Sequence, residues 1–409
     1  MGRTDAVAAD LDVDVAVIGA GAAGLSLLAA LSERTAPDGR PWSVACVDPG
    51  PGAGPGRRTW CFWEPAGGRY DRAVAHSWRR LRVVGPGGAE VGADLGSLRY
   101  KMLPSDRFEE LLDGWFAQCA LPPLRVTAVA GEVADGHDRA VVRGRTAGGG
   151  EVRVRARWVF DSRPAAPPPA RTTLLQHFRG WFLRAEHDVF DPGAVTLMDF
   201  RTPQPAHGVS FGYVLPWTAR DALVEYTEFS PAPLSRAAYD AALAHYTRAV
   251  LGVRAAGVTD TEQGVIPMTD AVFPRRTGKR VFRIGAAGGA TRPATGYTFA
   301  AVQRQTAGIV RRLCAGRTPL PPRPHRRRHR MMDAALLRAL DTGRLDGPVY
   351  FEQLFAGNPP PRLLRFLDGT SAVREEAAVV LSARSAVLPM LRTAAELPLL
   401  PRRPAPGTP

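Results

Sequence analysis

The first strong pattern in the chain is an almost unbroken apolar run over residues 13–18, three closely spaced glycines, and then an amphipathic stretch of about three helical turns. A second apolar run over 43–47 ends at Asp48. Continuous apolar runs of this length read as strands buried on both faces, so the order predicts parallel strands joined by a helix. Asp106 with Glu109 predicts a capped helix over 107–117, and "RWVFD" a further strand ahead of the proline-rich "RPAAPPPA", which marks a boundary. From Leu174 to Phe229 the period shortens to two, as antiparallel strands require. A helix over 235–250 follows, and then a last buried strand over 281–284. This strand runs through glycines into a helix over 297–313, and from Met331 to Leu400 the chain reads as helices with broad apolar faces.

The chemistry of the first turn follows from its spacing. Gly19, Gly21 and Gly24 form G-x-G-x-x-G between strand and helix, and Asp48 ends the next strand about 20–25 residues on, where a ribose-binding acid is expected. The first glycine permits the turn, the second lets backbone approach a pyrophosphate, and the helix N-terminus faces its charge. Gly285, Gly288 and Gly296 form a second strand–turn–helix site late in the chain. Two separated half-sites favour FAD over NAD, because FAD spans such a domain end to end. The predicted class is therefore α/β: a Rossmann-type FAD-binding domain of the glutathione-reductase/hydroxylase kind over 1–165 and 262–318. An antiparallel β-sheet substrate domain is inserted over 166–261, and a helical region occupies 319–409.

Composition narrows the partners. The net charge of +14 is carried almost entirely by arginine, since Lys101 and Lys279 are the only lysines. There is no aromatic-interleaved basic motif and no zinc-finger spacing, so no nucleic-acid partner is expected. Cys46, Cys61, Cys119 and Cys314 show neither metal-ligand nor redox-pair spacing, which predicts reduced thiols in a cytoplasmic protein and no metal site. The apolar N-terminal run is broken by glycines and no other segment is long enough to span a bilayer. The cluster "RPHRRRHR" over 323–330 suits a solvated linker or an anionic-lipid contact at a membrane surface.

"ALVEYTEFSP" places Glu225 and Glu228 in a strand. Residues three apart point to opposite faces, so Glu225 belongs with Leu223, Thr227 and Phe229, and Glu228 with Val224 and Tyr226. A solvated strand face is as good a reading of this segment alone. Asp199 in "LMDFR" is a second candidate carboxylate, with structural pairing to Arg201 an equal alternative.

Taken in order, "DVAVIGAGAAGLSL", "RTWCFWE", "VFDSRP", "LMDFR", "YVLPW", "LVEYTEFS" and "GAAGGATRPATGYTF" resemble the flavoprotein lycopene cyclases of bacteria and plants over most of the chain. The family's Phe-Leu-Glu-Glu-Thr motif falls on Leu223, Val224, Glu225, Tyr226 and Thr227, with only the first acid kept. The resemblance implies Glu225 as the catalytic acid/base of a β-cyclase that closes the acyclic ends of lycopene. It also implies that FAD acts reduced and without net redox change, with NAD(P)H as electron source, and that the enzyme is peripheral to a membrane. Trp60, Trp217 and Tyr226 are expected along the substrate path. A flavin-dependent monooxygenase would carry Gly-Asp at the second turn, where Gly285 and Ala286 stand. A flavoprotein reductase of prenyl double bonds is the nearer alternative, because its substrate is equally apolar.

Overall fold

A computed structural model describes residues 9–50, 56–253 and 256–404. The Pro/Gly loop expected over 50–56 lies, except for its two ends, outside the described residues.

The first sheet is built around Ala9–Ile18, whose Val15, Ala16 and Val17 are fully buried. Leu124–Thr127, Val44–Asp48, Ala9–Ile18 and Glu151–Asp161 run parallel in that order. Glu151–Asp161 serves two partners. Its first half pairs antiparallel with Ala140–Arg145, while Val159, Phe160 and Asp161 pair parallel with Val281–Arg283, returning from far along the chain. Helices Ala22–Ser32 and Phe299–Cys314, which follow the two glycine turns, pack together on one face. Ser105–Phe116 adds a third helix beside Ala22–Ser32. It starts directly after Pro104, and Asp106 accepts only from the Arg107 amide (2.9 Å), so the expected capping pair does not form.

The second sheet has seven strands in the order Ala256–Thr269, Thr173–Ala185, Asp221–Ser230, Val209–Pro216, Ala194–Asp199, Arg80–Val84 and Glu90–Asp94. It reaches beyond the expected 166–261 on both sides. Arg80–Val84 supplies a parallel partner for Ala194–Asp199, burying Leu81 and Val83, and the last strand continues to Thr269. The helix expected over 235–250 is α-helical only as Arg236–His245, widening into a π-turn at Tyr246–Val250.

Five helices from Arg327–Asp341 to Arg384–Glu396 close the molecule, setting Leu336, Leu340, Phe351 and Phe355 against Val195, Leu197, Phe200 and Phe211 of the second sheet. They are pinned to the second glycine turn by an ion pair buried at both ends: Arg292 lies 3.1 Å from Asp333 and also donates to the Phe366 carbonyl. Inside this shell a continuous cavity of about 1630 Å³ runs from the first glycine turn to the face of the second sheet. Ordinary ligand pockets hold roughly 300–1,000 Å³. This one has room for a cofactor and a large substrate end to end.

Candidate active site

At one end the cavity is a cradle made of backbone. Gly19 has φ +95° and sits so close to Ser162 that a β-carbon would lie 2.5 Å from its hydroxyl. A β-carbon on Gly24 would collide with the Gly19 carbonyl at 1.9 Å, so this glycine lets helix meet strand. Gly21 differs: its missing side chain would meet nothing within 4 Å, because it faces the cavity at the N-terminus of Ala22–Ser32. Asp48 lines the same end, its carboxylate accepting from the Ala20 and Gly50 amides at 2.8 and 2.9 Å. The second turn continues the wall. Gly285 and Gly296 adopt positive φ, and added β-carbons there would strike Ala23 and Gln176; at Gly288 one would strike the Arg283 carbonyl. Gln176 Oε1 is buried beside Gly296 without a hydrogen-bond partner among the described residues. Open space at Gly21, a helix N-terminus and an unsatisfied acceptor at the far turn fit a flavin dinucleotide.

At the other end stands a row of side chains across four strands. Glu262 and Glu225 are both direct partners of Gly180, and Tyr213 is the direct partner of Glu225. Directly paired residues share a face. The two acids therefore stand on either side of a residue with no side chain, and Glu225 leans over it: a β-carbon on Gly180 would lie 2.8 Å from Glu225 Cγ. Across that gap the two carboxyls are close enough to influence each other's protonation. Burial and the facing Glu262 hold the Glu225 carboxyl well above the ordinary carboxylic-acid range. Glu262 is also raised by burial, but it is relieved by the facing Glu225 and by Thr59, whose hydroxyl donates at 2.7 Å. The Thr59 hydroxyl therefore favours charge on Glu262 and the proton on Glu225.

Aromatic rings enclose the acids. Tyr100 shares hydrogen bonds with Tyr213 (2.8 Å) and Tyr297 (3.1 Å), and burial drives all three phenols up in pKa, so they stay neutral. Trp60 lines the cavity, stacked 5.9 Å from Phe299. Phe178, Phe211 and Phe229 floor it.

Other expected site residues lie elsewhere. Asp199 is fully buried away from the cavity, bound to Arg201 at 2.6 Å and to the Tyr246 hydroxyl at 2.9 Å; its surroundings make it a structural acid. Tyr226 is on the opposite sheet face, packed with Tyr239 and Leu243 and donating to Glu228 at 3.1 Å, so it cannot reach a ligand beside Glu225. Glu228 shares that face, with His177 at 3.9 Å. Trp217 sits where the Val209–Pro216 strand turns back, against Phe182 and off the cavity wall. Sequence reading did not find Glu262, Thr59 or the tyrosine chain. One signal was available, since a glycine inside an apolar strand, as in "FRGWF", marks a close approach.

The fold and its two-turn cradle are those of the Rossmann-type FAD-dependent enzymes. Among solved structures the chain is similar to a geranylgeranyl bacteriochlorophyll reductase-like protein from Thermoplasma acidophilum (TM-score 0.61, 13% identity, 94% of this chain and 100% of that one). It is also similar to the flavin-dependent monooxygenase PieE in complex with FAD and substrate (0.60, 16%, 93% and 72%) and to the rebeccamycin biosynthetic enzyme RebC with reduced flavin (0.55, 16%, 95% and 75%). No curated protein matches the sequence. The family described as lycopene cyclase protein matches residues 14–395, and the chain belongs to that family.

Two outcomes follow. Gly21→Val directs a branched side chain into the cradle, so the folded variant should be purified with little bound flavin; wild-type flavin content would exclude this cradle as the site. The second concerns stability. Because the folded-state pKa of Glu225 is raised, folding takes up a proton, and the stability present at low pH is lost as pH rises from the ordinary carboxylate value through the raised one. Wild-type Tm should therefore fall more between about pH 5 and about pH 8 than that of Glu225→Gln, measured by calorimetry. Equal falls would mean that Glu225 is not protonated in the native state.

Proposed function

We propose that this protein is a lycopene β-cyclase, closing the acyclic ends of lycopene into β-rings without net oxidation or reduction. The observation that carries the reading is a buried carboxylic acid, Glu225, facing an aromatic-lined cavity continuous with a dinucleotide cradle. The Glu225 O–H gives its proton to the terminal carbon–carbon double bond, leaving a tertiary cation. The next suitably placed double bond attacks that centre and closes the six-membered ring. Loss of a ring proton then yields the ring double bond. Raised pKa keeps Glu225 in the donating form near neutrality. The faces of Trp60 and the surrounding tyrosines favour the cation, and the apolar lining keeps out water that would capture it as an alcohol.

Gly19, Gly21 and Gly24 with Asp48 would hold the pyrophosphate and ribose of FAD, and Gly285, Gly288 and Gly296 its ring end. Reduced FAD, when bound, supplies an electron-rich, negatively charged ring system next to the cavity; NAD(P)H is the proposed source of its electrons.

A lipid-soluble substrate calls for work at the bilayer surface, on the cytoplasmic side. No single helix among the described residues is long and apolar enough to cross a membrane. Leu381, Leu388, Leu391 and Leu399, on and just beyond the last two helices, are exposed. Of the expected basic cluster, Arg323, Arg326 and Arg327 face solvent, whereas Arg328 is tied to Glu376 at 2.7 Å and Arg330 leans on the Asp270 and Ala271 carbonyls.

In a lycopene-accumulating host the wild-type protein should yield cyclic products of unchanged mass; two added hydrogens would indicate a reductase, and added oxygen a monooxygenase. Glu225→Gln should lower ring formation by about 10²- to 10⁴-fold, while Glu228→Gln, on the other face, should be far milder. With flavin pre-reduced under anaerobic conditions and no nicotinamide, turnover should continue well past one product per flavin. Stoichiometric arrest there would overturn the non-redox reading. Binding to anionic liposomes should weaken with salt, each exposed arginine contributing about 1 kcal/mol near the surface. Salt-independent binding to neutral liposomes would remove the electrostatic part.

A further inference from the structure

The row Glu262–Gly180–Glu225 assembles something that a single acid would not need. Three adjacent strands bring two carboxylic acids to one face, and the central strand gives up its side chain between them, so that Glu225 leans into the gap. Both acids are more than nine-tenths buried, and both line the cavity. We propose that Glu262 and Glu225 form a one-proton pair in which Glu262, charged, is the positioning residue that keeps Glu225 in its acid form. This proposal rests on the cyclase reading for its purpose, but not for its existence.

The surroundings fit one charge and no more. Facing Glu225 are Glu262, the Tyr213 phenol and the Cys61 thiol, and burial holds both of the latter neutral. Glu262 is the better place for the negative charge, since it accepts from Thr59 and feels Arg57, with Asp260 opposing. Two buried carboxylates facing each other across one backbone position resist ionising together near neutrality, as in the shared-proton dyads of acid proteases.

The arrangement balances over a turnover. An O–H bond of Glu225 breaks as a C–H bond forms with the alkene's electron pair, and for a moment two carboxylates face the carbocation. Their mutual repulsion makes the pair a stronger base than an isolated carboxylate, while their charge offsets that of the cation. When the C–H bond next to the final cationic carbon breaks, its electrons form the ring double bond and its proton returns to the pair. The pair ends with one proton, as it began, and no oxidant or reductant is consumed.

The test reads the acid directly, without substrate. In the flavin-loaded protein, the infrared carbonyl band of protonated Glu225 is identified by its loss in Glu225→Gln. It should persist in wild type above neutral pH. In Glu262→Gln it should vanish at a pH lower by at least about one unit, because the like charge is gone; in Glu262→Asp, which keeps that charge, it should stay near the wild-type position. An unmoved band in Glu262→Gln would overturn the pair. If that variant does not fold, wild type alone decides: a one-proton pair loses its carbonyl absorption in two well-separated steps, and a single step would overturn it. With lycopene, the alkaline fall in kcat should move down with the band in Glu262→Gln, whereas a residue of merely structural use would lower kcat at every pH without moving the fall. If the bands behave as expected but wild type forms no ring from lycopene, the pair stands and the cyclase reading fails.

Discussion

A carboxyl group shut away from water must either find a compensating charge or keep its proton. Near Glu225 the strongest charge belongs to another acid, Glu262, so the proton stays. The surrounding construction serves this condition. The sheet is wide enough to hold Glu225 on the third strand from its edge, neutral phenols rather than arginines fill the adjoining positions, and the closing helices seal the aromatic side. An arginine at Tyr213 would draw the proton off by stabilising the carboxylate.

The acid row and the dinucleotide cradle are joined covalently and by packing. The strand that carries Glu262, Ala256–Thr269, leads directly to Val281–Arg283 and so to the second glycine turn. Behind that turn, Arg292 is locked to Asp333 of the closing helices. Movement of the turn, as when a ring system seats against it, would be felt both at the acid strand and in the helical cover. Breaking a pair so deeply buried leaves an uncompensated charge, typically a cost of 3–5 kcal/mol, which makes this contact a rigid joint.

The cradle was legible because its chemistry is local: strand, glycines and helix lie in one continuous stretch, and each glycine has a distinct steric task. The face occupied by Glu225 was legible too, because period two is a property of one strand. Glu262 was not, since its approach to Glu225 depends on the register of two strand pairings, and no pattern within "TEQGVIPMT" encodes it. The same blindness to neighbours left Asp199 open between catalysis and pairing with Arg201, because its other partner, Tyr246, comes from a distant π-turn. It also misassigned Tyr226 and Trp217, for which an aromatic ring suggests a ligand wall until the opposite layer is known. In the basic cluster, His325 and His329 are buried, donating to the Ala290 carbonyl and the Glu376 carboxylate, so its charge is smaller at the surface than its sequence implies.

The hydrogen bond from Thr59 to Glu262 spans 203 residues of chain. A contact of that sequence separation closes late, because the loop entropy must be met before the bond contributes. During synthesis Thr59 leaves the ribosome long before its partner exists, and each acid, once made, stays hydrated and ionised until the strands pair. The site therefore cannot be assembled piecemeal: its acidity comes into being in the same event that brings the last strand of the sheet home.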